Sequence, residues 1–221
     1  MPTRRSAVLA ALAGLVSMAV FVTVPSLQCL ACDSSLGAPE DQLADLFTGW
    51  ESGFYWGAYA QLLALFLFIW FLAHLVGELR RVTPGQVYDT VVLIGGGLFA
   101  AAVLVQLAFM LAATTVAEGA GGAVARLVFA MGYNFAFVFA APVAALVTAT
   151  SLAVVRTRWL PRPLGWAGFV AVVVSLAWIT PGLGAVAGMV WVAALSACLA
   201  ARAVRRPAGH RLPAADAVVR D

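Results

Sequence analysis

An all-α membrane protein is predicted by three features of the sequence: its apolar content, the length of its apolar runs and the sidedness of its arginines. Apolar residues make up 63% of the 221 positions and charged residues 10%, against roughly 45–50% and 25% in soluble chains. Six apolar runs are each close to the ~20 residues that carry a helix across a ~30 Å hydrocarbon core. All 13 basic residues are arginines. With the N-terminus inside, Arg4, Arg5, Arg80, Arg81, Arg156, Arg158, Arg162, Arg202, Arg205, Arg206, Arg211 and Arg220 fall on the cytoplasmic side, and only Arg126 falls outside. The expected architecture is a polytopic six-transmembrane-helix bundle with both termini cytoplasmic. It forms one domain over 1–204, followed by a mobile cytoplasmic tail over 205–221.

The first span, 7–24, follows Arg4 and Arg5 and has the charged start and apolar middle of a secretory signal. No A-x-A cleavage site follows it, so an anchoring helix is expected, with a cleaved signal as the alternative. Residues 25–53 form an arginine-free outer loop bearing Asp33, Glu40, Asp41, Asp45 and Glu51. Within it, Pro39, Glu40 and Asp41 open a short helix that ends near Gly49. Leu43, Leu46, Phe47 and Trp50 give that helix one apolar face for the membrane surface.

The second span, 54–76, begins beside Trp50, Tyr55 and Trp56, rings suited to a membrane boundary, and ends before Arg80 and Arg81. Thr83, Pro84 and Gly85 predict a turn into the third span, 90–114, whose Gly95-Gly96-Gly97 triplet reads as close helix packing rather than a hinge. The fourth span is expected as one helix over 127–155, kinked near its centre by Pro142. Spans five (164–180) and six (183–204) are separated only by Pro181 and Gly182, so they form an antiparallel hairpin, with Gly184 and Gly188 as a small-residue contact. No inverted repeat relates the two halves.

Candidate chemistry is sparse. Cys29 and Cys32 form a C-x-x-C on the outer, oxidising side, where a disulfide persists. Asp33 stands where a haem-attachment motif needs histidine, and Cys198, His74 and His210 lie towards the other side, so neither haem nor a metal set is predicted. Ser17, Gln61, Gln106 and Asn134 lie about seven residues in from the outer boundary, roughly 10 Å deep at the helical rise. Facing inward, they would line a ligand pocket; otherwise they bond neighbouring helices. No acid or arginine sits mid-span, which disfavours ion-coupled transport. His74, one turn before Glu78, reads as a helix-surface pair.

The stretch Leu160-Pro161-Arg162-Pro163-Leu164-Gly165-Trp166-Ala167-Gly168 resembles an L-P-x-x-L-G-W-x-G element of uncharacterised six-span integral membrane proteins of actinobacteria. The resemblance implies a layout and an interface signal, with no activity, cofactor or catalytic residue attached. The expected protein is a non-enzymatic component of a bacterial cytoplasmic (plasma) membrane. Its partners are the lipid bilayer and either further copies or another membrane protein, and it binds no nucleic acid. Two alternatives stand beside this: a binder or carrier of a small neutral or lipophilic molecule through Ser17, Gln61, Gln106 and Asn134, and an extracytoplasmic thiol oxidoreductase using Cys29 and Cys32.

Overall fold

The computed structural model of the chain describes residues 4–32, 51–120, 122–135, 138–177 and 183–205. The surface helix expected near Pro39 and the tail beyond Arg205 fall outside these. The described residues are all-helical: α1 (Arg4–Cys32), α2 (Glu51–Val82), α3 (Tyr88–Ala120), α4 (Gly122–Phe135), α5 (Ala140–Thr157), α6 (Arg162–Leu176) and α7 (Leu183–Arg205). Five of them, α1, α2, α3, α5 and α7, are long and apolar enough to cross a membrane. The 32 residues of α2 reach about 48 Å, well past the ~30 Å of a hydrocarbon core, which leaves length for its charged last turn, with Arg80 and Arg81, to lie beyond that core.

Helices α1, α2, α3, α5 and α7 pack side by side into a closed ring, with α4 laid on α3 and α6 on α5 and α7. Each helix turns one apolar stripe inward. On α2 the buried face runs through Phe54, Ala58, Leu65, Phe68, Leu72, Leu75 and Leu79, while Trp56, Tyr59, Leu63, Phe66 and Trp70 point outward. An outward face of large apolar side chains suits hydrocarbon and not water. Between α2 and α3 the expected turn is present: Pro84 stops the helix, Gly85 takes φ +74°, and the Gln86 amide donates to the Thr83 carbonyl at 3.2 Å.

The fourth span departs from the sequence expectation. The single kinked helix over 127–155 is two helices, α4 ending at Phe135 and α5 beginning at Ala140. Pro142 is the third residue of α5, within a first turn whose amides need no intrahelical acceptor, so it starts a helix instead of kinking one. The two pieces descend along α3 in order. A Cβ on Gly132 of α4 would lie 3.0 Å from Phe109 Cβ, Phe139 meets the Phe99 ring at 5.6 Å, and a Cβ on Gly95 would lie 2.8 Å from the Pro142 carbonyl oxygen.

Helix α6 is 15 residues long and runs antiparallel between α5 and α7. At one end Arg202 of α7 donates to the Trp159 carbonyl just before α6, and Trp191 Nε1 donates to the Leu164 carbonyl at 2.8 Å. At the other end a Cβ on Gly188 of α7 would lie 2.3 Å from Val143 of α5 and 3.4 Å from Ser175 Oγ of α6. The starts of α5 and α7 therefore share the level of the end of α6.

The glycine triplet separates by role. Gly95 faces the α5 backbone, Gly96 would meet the Leu72 side chain at 2.6 Å, and Gly97 has open space around it. Gly95→Ala should therefore cost about 1–3 kcal/mol, because backbone rather than a flexible side chain must yield. Gly97→Ala should be neutral or stabilising by up to about 1 kcal/mol through helix propensity. Thermal unfolding of the detergent-solubilised protein separates the two, and equal effects at both positions would contradict the packing role.

Candidate functional site

The polar residues singled out in the sequence divide into those that face inward and those that do not. Ser17, Gln61 and Gln106 are buried on α1, α2 and α3. Ser17 donates to the Gly14 carbonyl of its own helix at 2.9 Å, so its hydroxyl is satisfied where it stands. Asn134 is exposed in the last turn of α4, and its Nδ2 donates to the Ala130 carbonyl at 2.8 Å. It serves the end of an interrupted helix and does not join an inward layer of four. Tyr59, near the same level, is also exposed.

The centre of the ring lies deeper and is apolar. Phe99 of α3 packs edge-on against Phe21 of α1 at 5.5 Å, Phe68 of α2 at 5.2 Å and Phe139 before α5 at 5.6 Å. Edge-to-face rings at these separations contribute about 0.5–1.5 kcal/mol each beyond area burial. Beside them lies a cavity of about 10 Å³, lined by Met18, Phe68, Phe99, Val143 and Met189 among others. That is room for about one water-sized sphere, and a wall without polar atoms gives a water no partners. Spacing along the sequence does not reveal this cluster, since each helix supplies one or two of its rings and the register between helices decides their meeting.

Small residues at helix junctions are a second feature: besides Gly95, Gly96 and Gly188, where the sequence marked close packing, further glycines serve this way. Gly14 lies where α1, α2 and α7 converge: a Cβ there would be 2.4 Å from Phe71 Cδ2 and 2.6 Å from Ser196 Oγ. Within the L-P-x-x-L-G-W-x-G stretch, Gly165 and Gly168 occupy the inward face of α6. A Cβ on Gly165 would lie 2.7 Å from Val155, and one on Gly168 would overlap the Ser151 hydroxyl and sit 2.9 Å from the Trp191 ring. The Ser151 hydroxyl itself is buried and makes no hydrogen bond. Trp166, between the glycines, points outward. The spacing of three that unites the two glycines on one face was available in the sequence.

Arginines cluster at the end of the bundle formed by the α2–α3 turn, the end of α5, the start of α6 and the end of α7. Arg80 Nε meets Asp89 at 2.7 Å across the α2–α3 turn, and Arg81 meets the buried Glu78 at 3.0 Å. Arg156 donates to the Tyr88 hydroxyl, joining α5 to α3. Arg202 lies 5.5 Å over the Trp159 ring while donating to that residue's carbonyl. His74 is half-buried one turn before Glu78.

The helix of α1 continues to Cys32, which puts Cys29 and Cys32 three apart near its end, but their side chains lie outside the described ones. Cys198 on α7 is a free thiol, and no cluster of three His, Cys, Asp or Glu side chains suited to a metal occurs among the described residues. Comparisons with protein-family models, curated proteins and solved structures returned no match for this chain.

Asn134→Leu should change thermal stability by no more than about 0.5 kcal/mol, as expected of an exposed side chain bonded to its own helix. Gln61→Leu, buried on α2 with bonded neighbours, should cost about 1 kcal/mol. Unfolding midpoints of the two variants in one detergent check the contrast.

Proposed function

We propose that this protein is a six-crossing, non-enzymatic component of a bacterial cytoplasmic membrane, with both termini cytoplasmic and its role carried by its helical surfaces. The observation that carries the reading is the apolar centre, where Phe99 packs edge-on against Phe21, Phe68 and Phe139 beside an apolar-lined cavity of about 10 Å³. A solute path needs a lining of groups that replace hydration, and rings in edge contact provide none.

Two features support the crossing count and direction. Helix α6 starts beside Arg202 and ends beside Gly188, so although short it runs along most of the length of α7. Helices α4 and α5, taken end to end along α3, supply a single crossing. Counting α1, α2, α3, the α4–α5 pair, α6 and α7 gives an even number, and the arginine bias then puts both ends inside. Retention of α1 is favoured by its place in the core, where Ala11, Met18 and Phe21 are buried against neighbouring helices.

A second reading, a binder or carrier of a small lipophilic molecule, is favoured by one observation: Gln61 and Gln106 are buried on adjacent helices above an interrupted crossing. Proteoliposomes distinguish the two readings. The first predicts glycerol permeability equal to that of protein-free vesicles. Saturable flux that disappears in the Gln61→Leu, Gln106→Leu double variant would replace it with the second.

Orientation is tested separately with a membrane-impermeant maleimide on intact cells. Cys29 and Cys32 should label only after reduction, as an outer disulfide, and the mature mass should retain α1. Labelling without reduction would mean free outer thiols and would favour redox chemistry, whereas loss of about 25 residues would mark a cleaved signal.

A further inference from the structure

We propose that the outward face of α6, with the arginines around its start, binds an anionic glycerophospholipid. Three observations combine. First, the inner rim is electrostatically lopsided. Among the described residues its two acids, Glu78 and Asp89, are already paired with Arg81 and Arg80. Of the rim's remaining arginines, Arg4 and Arg5 stand at the start of α1, and the other five, Arg156, Arg158, Arg162, Arg202 and Arg205, gather at the end of α5, the start of α6 and the end of α7, with no acid among them. Arg202, bonded to the Trp159 carbonyl, fixes the α7 end against the loop that carries Arg158.

Second, no acid among the described residues pairs with the arginines of this group. The side chains of Arg158, Arg162 and Arg205 are exposed and make no ion pair or hydrogen bond among the described residues. Arg158 also stands at φ +55° as the left-handed cap of α5, a conformation that glycine holds at less cost. The loop therefore presents a cation from a position where backbone preference argues for no side chain at all.

Third, the same face of α6 continues as an apolar track. Arg162, Trp166, Val170 and Val173 follow one another at helical spacing, and the last three are 61%, 65% and 66% exposed. From Arg162 to Val173 the rise is about 16 Å, close to the ~15 Å of one hydrocarbon leaflet. The opposite face, through Gly165, Gly168, Ala171 and Ser175, is buried against α5 and α7. Cationic end, amphipathic ring and aliphatic strip in that order match headgroup phosphate, interface and acyl chain. The outward face of α2 is also apolar, but the arginines at its inner end are already ion-paired, so it lacks the headgroup half of such a site.

The proposal rests on α6 lying in the bilayer as read above, and not on which leaflet it faces. The test is native mass spectrometry of the full chain in detergent, titrated with phosphatidylglycerol and with phosphatidylcholine of identical acyl chains. The wild type should retain phosphatidylglycerol preferentially. Arg158→Gln with Arg162→Gln should weaken that retention roughly 30-fold, the loss expected for two arginines beside an anionic surface. Arg5→Gln, at the exposed start of α1, should leave it unchanged. Equal binding of the two lipids by the wild type would overturn the proposal without reference to any variant. So would undiminished binding by the double variant, or displacement of phosphatidylglycerol by an equal concentration of inorganic phosphate, which would make the site one for free anions. Because detergent removes sidedness, a failed maleimide orientation leaves this outcome independently readable.

Discussion

Close backbone approach holds this bundle together, because helices in hydrocarbon gain nothing by exchanging lipid for one another unless their surfaces meet more tightly than lipid meets either. The contacts obey that constraint. Gly14 lets α1 settle against Phe71 and Ser196, Gly95 brings the α3 and α5 backbones together, Gly168 admits Ser151 and Trp191, and Gly188 admits Val143. Each of these positions is a place where a methyl group would meet a neighbour already in contact. Hydroxyls near the junctions are mostly turned into their own helices. Ser196 donates to the Val192 carbonyl at 2.8 Å and Thr150 to Leu146 at 2.9 Å, so polarity is contained locally and the helices adhere through shape.

That distinction explains which parts of the molecule were legible in the sequence. Hydropathy located the helical segments because apolar length is a property of one segment at a time. The turn at Gly85 was legible because proline and a left-handed glycine act on local backbone alone. Contacts between helices depend on rotation and register, which no single segment encodes, so the convergence of Phe21, Phe68, Phe99 and Phe139 and the junction at Gly14 were not. Asn134 shows the limit of reasoning by depth. Its level matched Gln61 and Gln106, but its azimuth placed it on the outside of α4. Equal depth fixes one coordinate of three.

The arginine-rich end of the bundle shows how charge and packing divide the work at the ends of apolar helices. Arg80, Arg156 and Arg202 each tie one element to another, through Asp89, Tyr88 and Trp159, while Arg81 pairs with Glu78 within α2. Arginine suits this because its planar fork reaches carboxylate, hydroxyl and carbonyl alike and stacks on rings. Residues counted in the sequence only as markers of orientation therefore also brace the short loops, and the excess beyond that bracing concentrates beside α6.

The interruption between α4 and α5 poses the hardest physical question, since a helix broken among apolar surroundings exposes amides and carbonyls that cost several kcal/mol each if unmet. Its position supplies the resolution. The break lies along α3 and not in open lipid, with Phe139 buried under Phe99. On the carbonyl side, Asn134 reaches back to Ala130. On the amide side, Pro142 has no N–H to satisfy and Val143 donates to the Phe139 carbonyl at 3.1 Å. The two pieces also belong to different apolar clusters: Ala125 and Phe129 of α4 pack with Phe54, Met110 and Ala113, whereas Val143, Leu146 and Val147 of α5 join the central ring. A continuous helix would have to serve both clusters with one rotation. Interrupting it frees α4 and α5 to take separate azimuths, and Pro142 in the first turn of α5 lets the second piece start cleanly where the first cluster ends.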